Sequence, residues 1–380
     1  MTEKLLTNAR IVLNDRVIDG TLAIRDGVIA DISEGSSTLP AALDCEGDLV
    51  VPGLIELHTD NLERHIMPRP EAYWPADAAV MGHDREIAAA GITTVFNALC
   101  VGEVHSRSMR VQLLQEMSDA IEAQLEAGAL KADHFFHWRC EISFGGMLDL
   151  LEPLMDYPRL HLLSVMDHTP GQRQFTDLSS YRAYYQGKYR MTEEEMQSFI
   201  NERVADQRLH SEKNRATVVA WGRERGIRIA SHDDATPAHV DEALRDGMVI
   251  AEFPTTIEAA TASHKGGLSV LMGAPNVVRG KSHSGNVSAR QLGEIGVLDI
   301  LSSDYVPGSL LYGALLLASS TDGVTLPRAI ATVTRNPARA VGLEDRGEIA
   351  VGLRADLVRC KPTDRAPIIR DVWREGEKVA

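Results

Sequence analysis

The sequence predicts a (β/α)8 barrel together with a small β-sandwich domain that both termini build. Three observations predict it: apolar strand-like runs alternate with stretches of helical length through the middle of the chain; both ends show short alternating bursts broken by Gly and Asp turn signals; and the polar residues suited to chemistry gather where the apolar runs end. Near-continuous apolar strands separated by helices indicate a parallel sheet covered on both faces, and eight such units over residues 51–344 suit a closed barrel, for which about 250 residues is typical.

Residues 1–50 alternate apolar and polar positions in short bursts (ARIVL, RVIDGTLAIRDGVIADI) around Asn-Asp and Asp-Gly, the pattern of antiparallel hairpins. Residues 345–380 read alike, with GEIAVGLRADLVRCKP and IIRDVWREGEKVA, so the two ends are expected to pair into one small β domain. Between them eight runs follow in order: LVVPGLIELH, ITTVFNAL, FFHWRCEI, LHLLSVMDH, IRIASHDD, MVIAEFPTT, LSVLMGAP and ILSSDYVP. The first is expected to be a single barrel strand. Residues 108–128, SMRVQLLQEMSDAIEAQLEAG, have helical periodicity, and the charged stretch 191–226 reads as one or two solvated helices. DATPAHVDEAL reads as an N-capped helix with Pro237 in its first turn. An open doubly wound sheet is the competing architecture, but no GxGxxG follows the first strand.

Hydrophobic residues are 44% and charged residues 24% of 380, which is ordinary globular usage, and Lys plus Arg number 39 against 54 Asp plus Glu. The resulting charge of -15 argues against nucleic acid or an anionic membrane surface as partner. It leaves room for a phosphorylated small molecule, since a few cations or a metal dominate one pocket within about 10 Å. Cys45, Cys100, Cys140 and Cys360 form no CxxC pair, which suits a reducing cytoplasm and suggests neither disulfides nor a thiolate metal site. The N-terminus has no apolar signal core, and the longest apolar run, LLYGALLLA at 310–318, falls far short of the roughly 20 residues of a membrane span. Homo-oligomerisation stays open.

Catalytic groups of a barrel stand where strands end and loops begin. Run one ends in His58 and Asp60, run three in Glu141, run four in Asp167 and His168, run five in His232, Asp233 and Asp234, and run eight in Asp304. His58 and Asp60 are two apart on one strand and so share a face, with Glu56 one step deeper on that face. A single such residue at a strand end is more often a cap than a ligand. Six of them at strand ends, His58, Asp60, Glu141, His168, His232 and Asp304, read as ligands to a divalent metal, with imidazole and carboxylate suiting zinc, manganese or iron, as one ion or as two. Asp233 and Asp234 read as supporting or helix-capping residues.

A second group suits phosphate. The Gly-rich segment MGAPNVVRGKSHSGN, 272–286, offers Asn276, Arg279, Lys281 and His283 beyond the seventh run, where barrel phosphate sites often form. DHTPGQRQF adds Arg173, and NLERHIMPRP adds Arg64 and His65.

These residues carry a resemblance. VPGLIELHTD, VTRNPARAVGL, GEIAVGLRADLV and VWREGEKV resemble the amidohydrolase superfamily of metal-dependent hydrolases, over nearly the whole chain. More narrowly, HTDNLERHIMPRP, RCEI, MDHTPGQRQF, ASHDDATPAHV, EFPTTIEAA, MGAPNVVRGKSHSGN and SSDYVPGSLL, in that order, resemble the PhnM family of the carbon-phosphorus lyase pathway. The resemblance implies hydrolysis of α-D-ribose 1-methylphosphonate 5-triphosphate to the 5-phosphate and diphosphate. It also implies His58-Thr59-Asp60 in place of the superfamily's HxH, Glu141 in place of its carboxylated lysine, His168 and His232 as further ligands, and Asp304 as the last.

The superfamily usually places those two histidines on strands five and six, whereas the run count here gives four and five. The expected chemistry is attack of water on the α-phosphorus, with Asp304 orienting that water and taking its proton, and with a Mg ion accompanying the triphosphate. A cyclic amide, N-acyl or amino-heterocycle substrate on the same fold is the alternative, but such a substrate has no use for the cations around 272–286.

Overall fold

The computed structural model describes residues 3–105, 109–173, 178–280 and 286–380. It divides into two compact units, one of Met1–Asn97, Asp119–Phe135 and Met272–Ala380, the other of Ala98–Ser118 and Phe136–Leu271.

Near the N-terminus the strands are β1 (Glu3–Val12), β2 (Val17–Arg25), β3 (Val28–Glu34), β4 (Leu43–Asp44) and β5 (Leu49–Pro52). The central strands are β6 (Leu54–Thr59), β7 (Ile92–Val101), β8 (Asp133–Glu141), β9 (Leu160–Met166), β10 (Arg228–His232), β11 (Ile250–Glu252), β12 (Ser269–Gly273) and β13 (Ile300–Ser302). Near the C-terminus are β14 (Leu357–Lys361), β15 (Ile368–Arg374) and β16 (Glu377–Lys378).

The terminal strands form one sheet in the order β16-β15-β14-β5-β1-β2-β3, with β4 beside β1. Its hairpins follow from their turns. Arg25 pairs with Val28, so the loop is Asp26-Gly27, and both residues have positive φ, 50° and 83°. That is the geometry a two-residue hairpin loop needs to match strand twist, and Asp-Gly adopts it at low cost. The sheet buries Leu6, Ile11, Leu22, Ile24, Ile29, Leu357 and Trp373 in one cluster, which explains the alternating pattern at both ends of the sequence.

The central strands form the second sheet, in the order β13-β12-β11-β10-β9-β8-β7-β6. Neighbouring strands pair parallel, and Thr59 and Asp304 make a parallel bridge between the outer two. With helices alternating between strands, this is a (β/α)8 fold.

The first apolar run departs from expectation. Leu49–Pro52 pairs with β1 and β14 in the terminal sheet, and only Leu54–Thr59 is a barrel strand. Gly53 divides them: its N–H reaches Asp356 O at 2.7 Å, and a Cβ there would collide with Thr93 and meet the Asp356 side chain at 3.0 Å. The run is predominantly apolar because both halves are buried, each in a different sheet. The other seven runs each contain one strand. Between Glu141 and His168 lie only the helix Met147–Leu154 and β9, so His168 follows the fourth barrel strand and His232 ends the fifth, as the run count has it. Residues 193–224 form one helix, closed at its start by a capping box in which Thr192 and Glu195 satisfy each other's backbone N–H.

Where β8 begins, Asp133 accepts from three arginines of the C-terminal segment: Arg346 at 2.7 Å, Arg354 at 2.8 Å and Arg374 at 3.4 Å. Burial pushes the Asp133 carboxyl up, but the three guanidinium groups outweigh it and hold it below its ordinary range. A carboxylate depressed in the folded state contributes stability that is present above its unfolded pKa, about 3.9, and is lost as pH falls below it. Asp133→Asn is therefore expected to lower stability by about 3 kcal/mol near neutral pH, with the deficit shrinking below about pH 4; urea unfolding across pH checks this. A deficit that does not change with pH would contradict the ionic account.

Candidate functional site

In the first unit the site begins with a buried carboxylate. Glu56, on β6, is fully buried; its Oε1 accepts from His58 N at 2.6 Å and Ser302 Oγ at 2.7 Å, and its Oε2 from Ser303 N. The strand bearing His58 is thereby tied to the end of β13. Thr59 Oγ1 donates to Asp304 O at 2.6 Å, closing the same seam. His58 is buried at the rim of β6, while Asp60 and Asp304 are half-buried beyond the strand ends. Asp304 has φ +56°, a left-handed conformation uncommon outside glycine that is held here by the Thr59 bridge. Asp60 stands at the N-cap of the helix Asn61–Ile66 without capping it.

In the second unit the ends of β8, β9, β10 and β11 meet. Glu141 Oε2 lies 2.5 Å from His168 Nδ1, and Glu141 Oε1 accepts from Ser143 Oγ at 2.7 Å and His168 N at 3.2 Å. Each partner supports the charge of the other against burial: the Glu141 carboxyl is held low and the His168 imidazole is raised. His232 Nδ1 meets Glu252 Oε2 at 3.0 Å, and Glu252 also accepts from Ser164 Oγ at 2.7 Å. An imidazole whose Nδ1–H is taken by a carboxylate presents Nε2 as a lone pair, the arrangement that orients a metal-ligating histidine.

Asp233 completes this group. Its Oδ2 lies 3.5 Å from His232 Nε2 and 3.9 Å from His168 Nε2, is buried, and has no hydrogen-bond partner among the described residues. His168, His232 and Asp233 offer ligand atoms within 4.8 Å of one another. Burial raises the Asp233 carboxyl to about 6. A buried carboxylate oxygen without a donor, facing two imidazole nitrogens, is costly alone and well suited to a divalent cation.

Asp233 was expected to cap or support. It does not cap: Thr236 is the N-cap of the helix Pro237–Arg245, its side chain accepting from His239 N. Asp234 does support, accepting from Arg173 and Ser231. Sequence reasoning missed Glu252, although the same strand-end rule applied to MVIAEFPTT would have found it.

The expected phosphate ligands fall into three groups. Arg64 and His65 both turn to one carboxylate, Glu86, at 3.1 Å and 2.8 Å. Arg173 is buried with its guanidinium on Asp234 and on Glu242 at 2.7 Å, so two carboxylates already occupy the cation expected to meet substrate. Asn276 donates to Val287 O and accepts from Ala289 N, both at 3.1 Å, fastening the chain after the loop. Arg279 is exposed in the last turn of the helix Ala274–Arg279, which Gly280 ends in the left-handed conformation. Lys281 and His283 lie outside the described residues.

Comparison with known proteins adds a family match, two relatives and two solved structures. A model described as "Amidohydrolase family" matches residues 278–380. The chain is 48% identical to the alpha-D-ribose 1-methylphosphonate 5-triphosphate diphosphatase of Escherichia coli (strain K12), over 99% of this chain and 100% of that one. It is 26% identical to an imidazolonepropionase of Deinococcus deserti, over 96% and 93%. Among solved structures, a 5-methylcytosine deaminase from Klebsiella pneumoniae superposes with a TM-score of 0.66 at 15% identity, covering 99% and 97% of the two chains. An N-acetyl-D-glucosamine-6-phosphate deacetylase from Mycobacterium smegmatis does so at 0.62 and 18%, covering 99% and 100%. At such identities the solved structures support the fold alone.

If the Asp233 carboxylate is a metal donor, Asp233→Ala should weaken metal retention by about 10- to 100-fold, read as metal content per chain after dialysis. Asp234→Ala, which loses the salt bridge to Arg173, should change metal content less. Equal metal content in Asp233→Ala and the parent would contradict the assignment.

Proposed function

This chain belongs to the family of alpha-D-ribose 1-methylphosphonate 5-triphosphate diphosphatases within the amidohydrolase superfamily, and from that membership we propose its reaction and the residues that carry it. The protein is a metal-dependent hydrolase that cleaves the triphosphate of α-D-ribose 1-methylphosphonate 5-triphosphate to the 5-phosphate and diphosphate, in phosphonate catabolism. The observation that carries this reading is the alignment of nearly the whole chain to one such diphosphatase. Four buried cysteines, none joined in a disulfide among the described residues, suit a cytoplasmic setting, and no described helix is long and apolar enough to cross a membrane.

We assign metal ligation to His58, Asp60, Glu141, His168, His232 and Asp304, and add Asp233 for its unpartnered oxygen. Imidazole and carboxylate donors fit zinc, as one ion or two. A divalent metal held there supplies Lewis acidity that makes water a nucleophile near neutral pH.

The remaining chemistry belongs to the chain. Asp304, fixed by Thr59 and Ser302, orients the attacking water and takes its proton on a carboxylate oxygen as the α-phosphorus is attacked. Arg64, His65, Asn276, Arg279, Lys281 and His283 bind the β and γ phosphates, with Mg accompanying the triphosphate, and neutralise charge on the departing diphosphate. Arg173, buried and paired with Asp234 and Glu242, is the cation of the set least open to the phosphates.

Phosphorus NMR of the enzyme with a ribose 5-triphosphate tests the reading. Diphosphate is expected as the released product, and Asp304→Asn is expected to slow its release about 100- to 10,000-fold with the circular dichroism spectrum unchanged. Release of orthophosphate alone, or an Asp304→Asn enzyme of full activity, would contradict it.

A further inference from the structure

Arg64 and His65 share Glu86, so whatever fixes Glu86 fixes both cations. Glu86 Oε2 also accepts from Asn61 Nδ2 at 3.0 Å. From Asn61 a continuous string of buried polar side chains runs through the first unit: Asn61 Nδ2 to His83 Nδ1 at 3.1 Å, His83 Nε2 to Asn97 Oδ1 at 3.2 Å, Asn97 Nδ2 to His134 Nδ1 at 3.2 Å, and His134 Nε2 to Asp84 Oδ1 at 3.2 Å. Asn61, His83, Asp84, Asn97 and His134 are all at most 1% exposed. Asp84 ends the string, also accepting from Lys131 N and Ala132 N.

The chemistry of the two ends permits one direction of donation. Asp84, held ionised by His134 and the two backbone N–H groups against its burial, can only accept, so His134 donates to it from Nε2. The Asn97 amide nitrogen is placed by its bond to Phe135 O at 3.1 Å, so it donates to His134 Nδ1, and the Asn97 oxygen faces His83. His83 therefore donates from Nε2 and accepts at Nδ1, and Asn61 points its amide nitrogen at His83 and Glu86 together. Burial and the neighbouring His134 and His65 lower His83 to about 3, which keeps it neutral, as the string requires. The reverse orientation of Asn61 would set its oxygen against the Glu86 carboxylate. In the orientation observed, that oxygen has no hydrogen-bond partner among the described residues, so the contacts on the nitrogen side decide the matter.

A buried polar string costs desolvation that an apolar core avoids, and when its members are paired it fixes their orientation. We propose that Asp84, His134, Asn97, His83 and Asn61 are positioning residues for phosphate binding: the string fixes the Asn61 amide, the amide fixes Glu86, and Glu86 holds Arg64 and His65 ready for the triphosphate. This rests on the reading of Arg64 and His65 as phosphate ligands.

Two measurements on the full-length enzyme test it. Long-range proton–nitrogen NMR near neutral pH should show His83 and His134 both neutral and protonated at Nε2; a His83 protonated at Nδ1 or on both nitrogens overturns the proposal. Asp84→Asn, whose hydrogen bonds run to Lys131, Ala132 and His134, should raise KM for the triphosphate about fivefold with a much smaller change in kcat. The same change made in an enzyme carrying both Arg64→Ala and His65→Ala should add almost nothing, because the string acts through Arg64 and His65. If Asp84→Asn fails to fold, His83→Gln gives the same comparison. A rise in KM for Arg64→Ala with none for the string variants overturns the positioning role alone. No rise for Arg64→Ala overturns the phosphate reading beneath it, and the two failures are thereby distinct.

Discussion

The site of the first unit depends on one buried carboxylate. Glu56 has no access to water, and its two oxygens collect the backbone of the strand that carries His58 and the Ser302–Ser303 step that ends β13. A glutamate in that position is tolerable because both of its oxygens accept hydrogen bonds. Its effect is geometric: first and last barrel strands are locked in register, Thr59 bridges to Asp304, and residues 246 positions apart in sequence become neighbours at one rim. Parallel-strand closure of this kind cannot come from local propensity, so a specific long-range contact has to set it.

The second consequence is electrostatic. A chain of charge -15 that handles a triphosphate has to hold its cations where the substrate arrives without losing them to solvent. The proposed phosphate cations are paired in advance, Arg64 and His65 both on Glu86. Pairing costs attraction for phosphate but removes the entropy of ordering long side chains at the moment of binding. The half-exposed Arg64 remains available to a ligand, whereas the buried Arg173 does not, which is why the two cations receive different roles.

Much of this was legible in the sequence. Strand-end polarity picked out His58, Asp60, Glu141, Asp167, His168, His232, Asp233, Asp234 and Asp304 as candidates, and the structure has each at or just beyond the end of a central strand. The count of runs placed His168 and His232 after the fourth and fifth strands, and the structure has those strands in that order. What escaped was tertiary. The run LVVPGLIELH belongs to two sheets, divided at Gly53, and only the strand pairing reveals it. The partners of Arg64, His65 and Arg173 are 22, 21 and 61 residues away, so a sequence shows cations and cannot show that carboxylates already hold them. Asp233 reads as one half of an Asp-Asp pair, and only its unpartnered oxygen separates it from Asp234.

The account turns on water attacking the α-phosphorus, with Asp304 taking its proton and diphosphate leaving toward the cations. Hydrolysis in water enriched in oxygen-18, followed by mass analysis of both products, tests that directly. The account predicts one labelled oxygen in the ribosyl 5-phosphate and none in the diphosphate. Label in the diphosphate would mean attack at the β-phosphorus, and would contradict it.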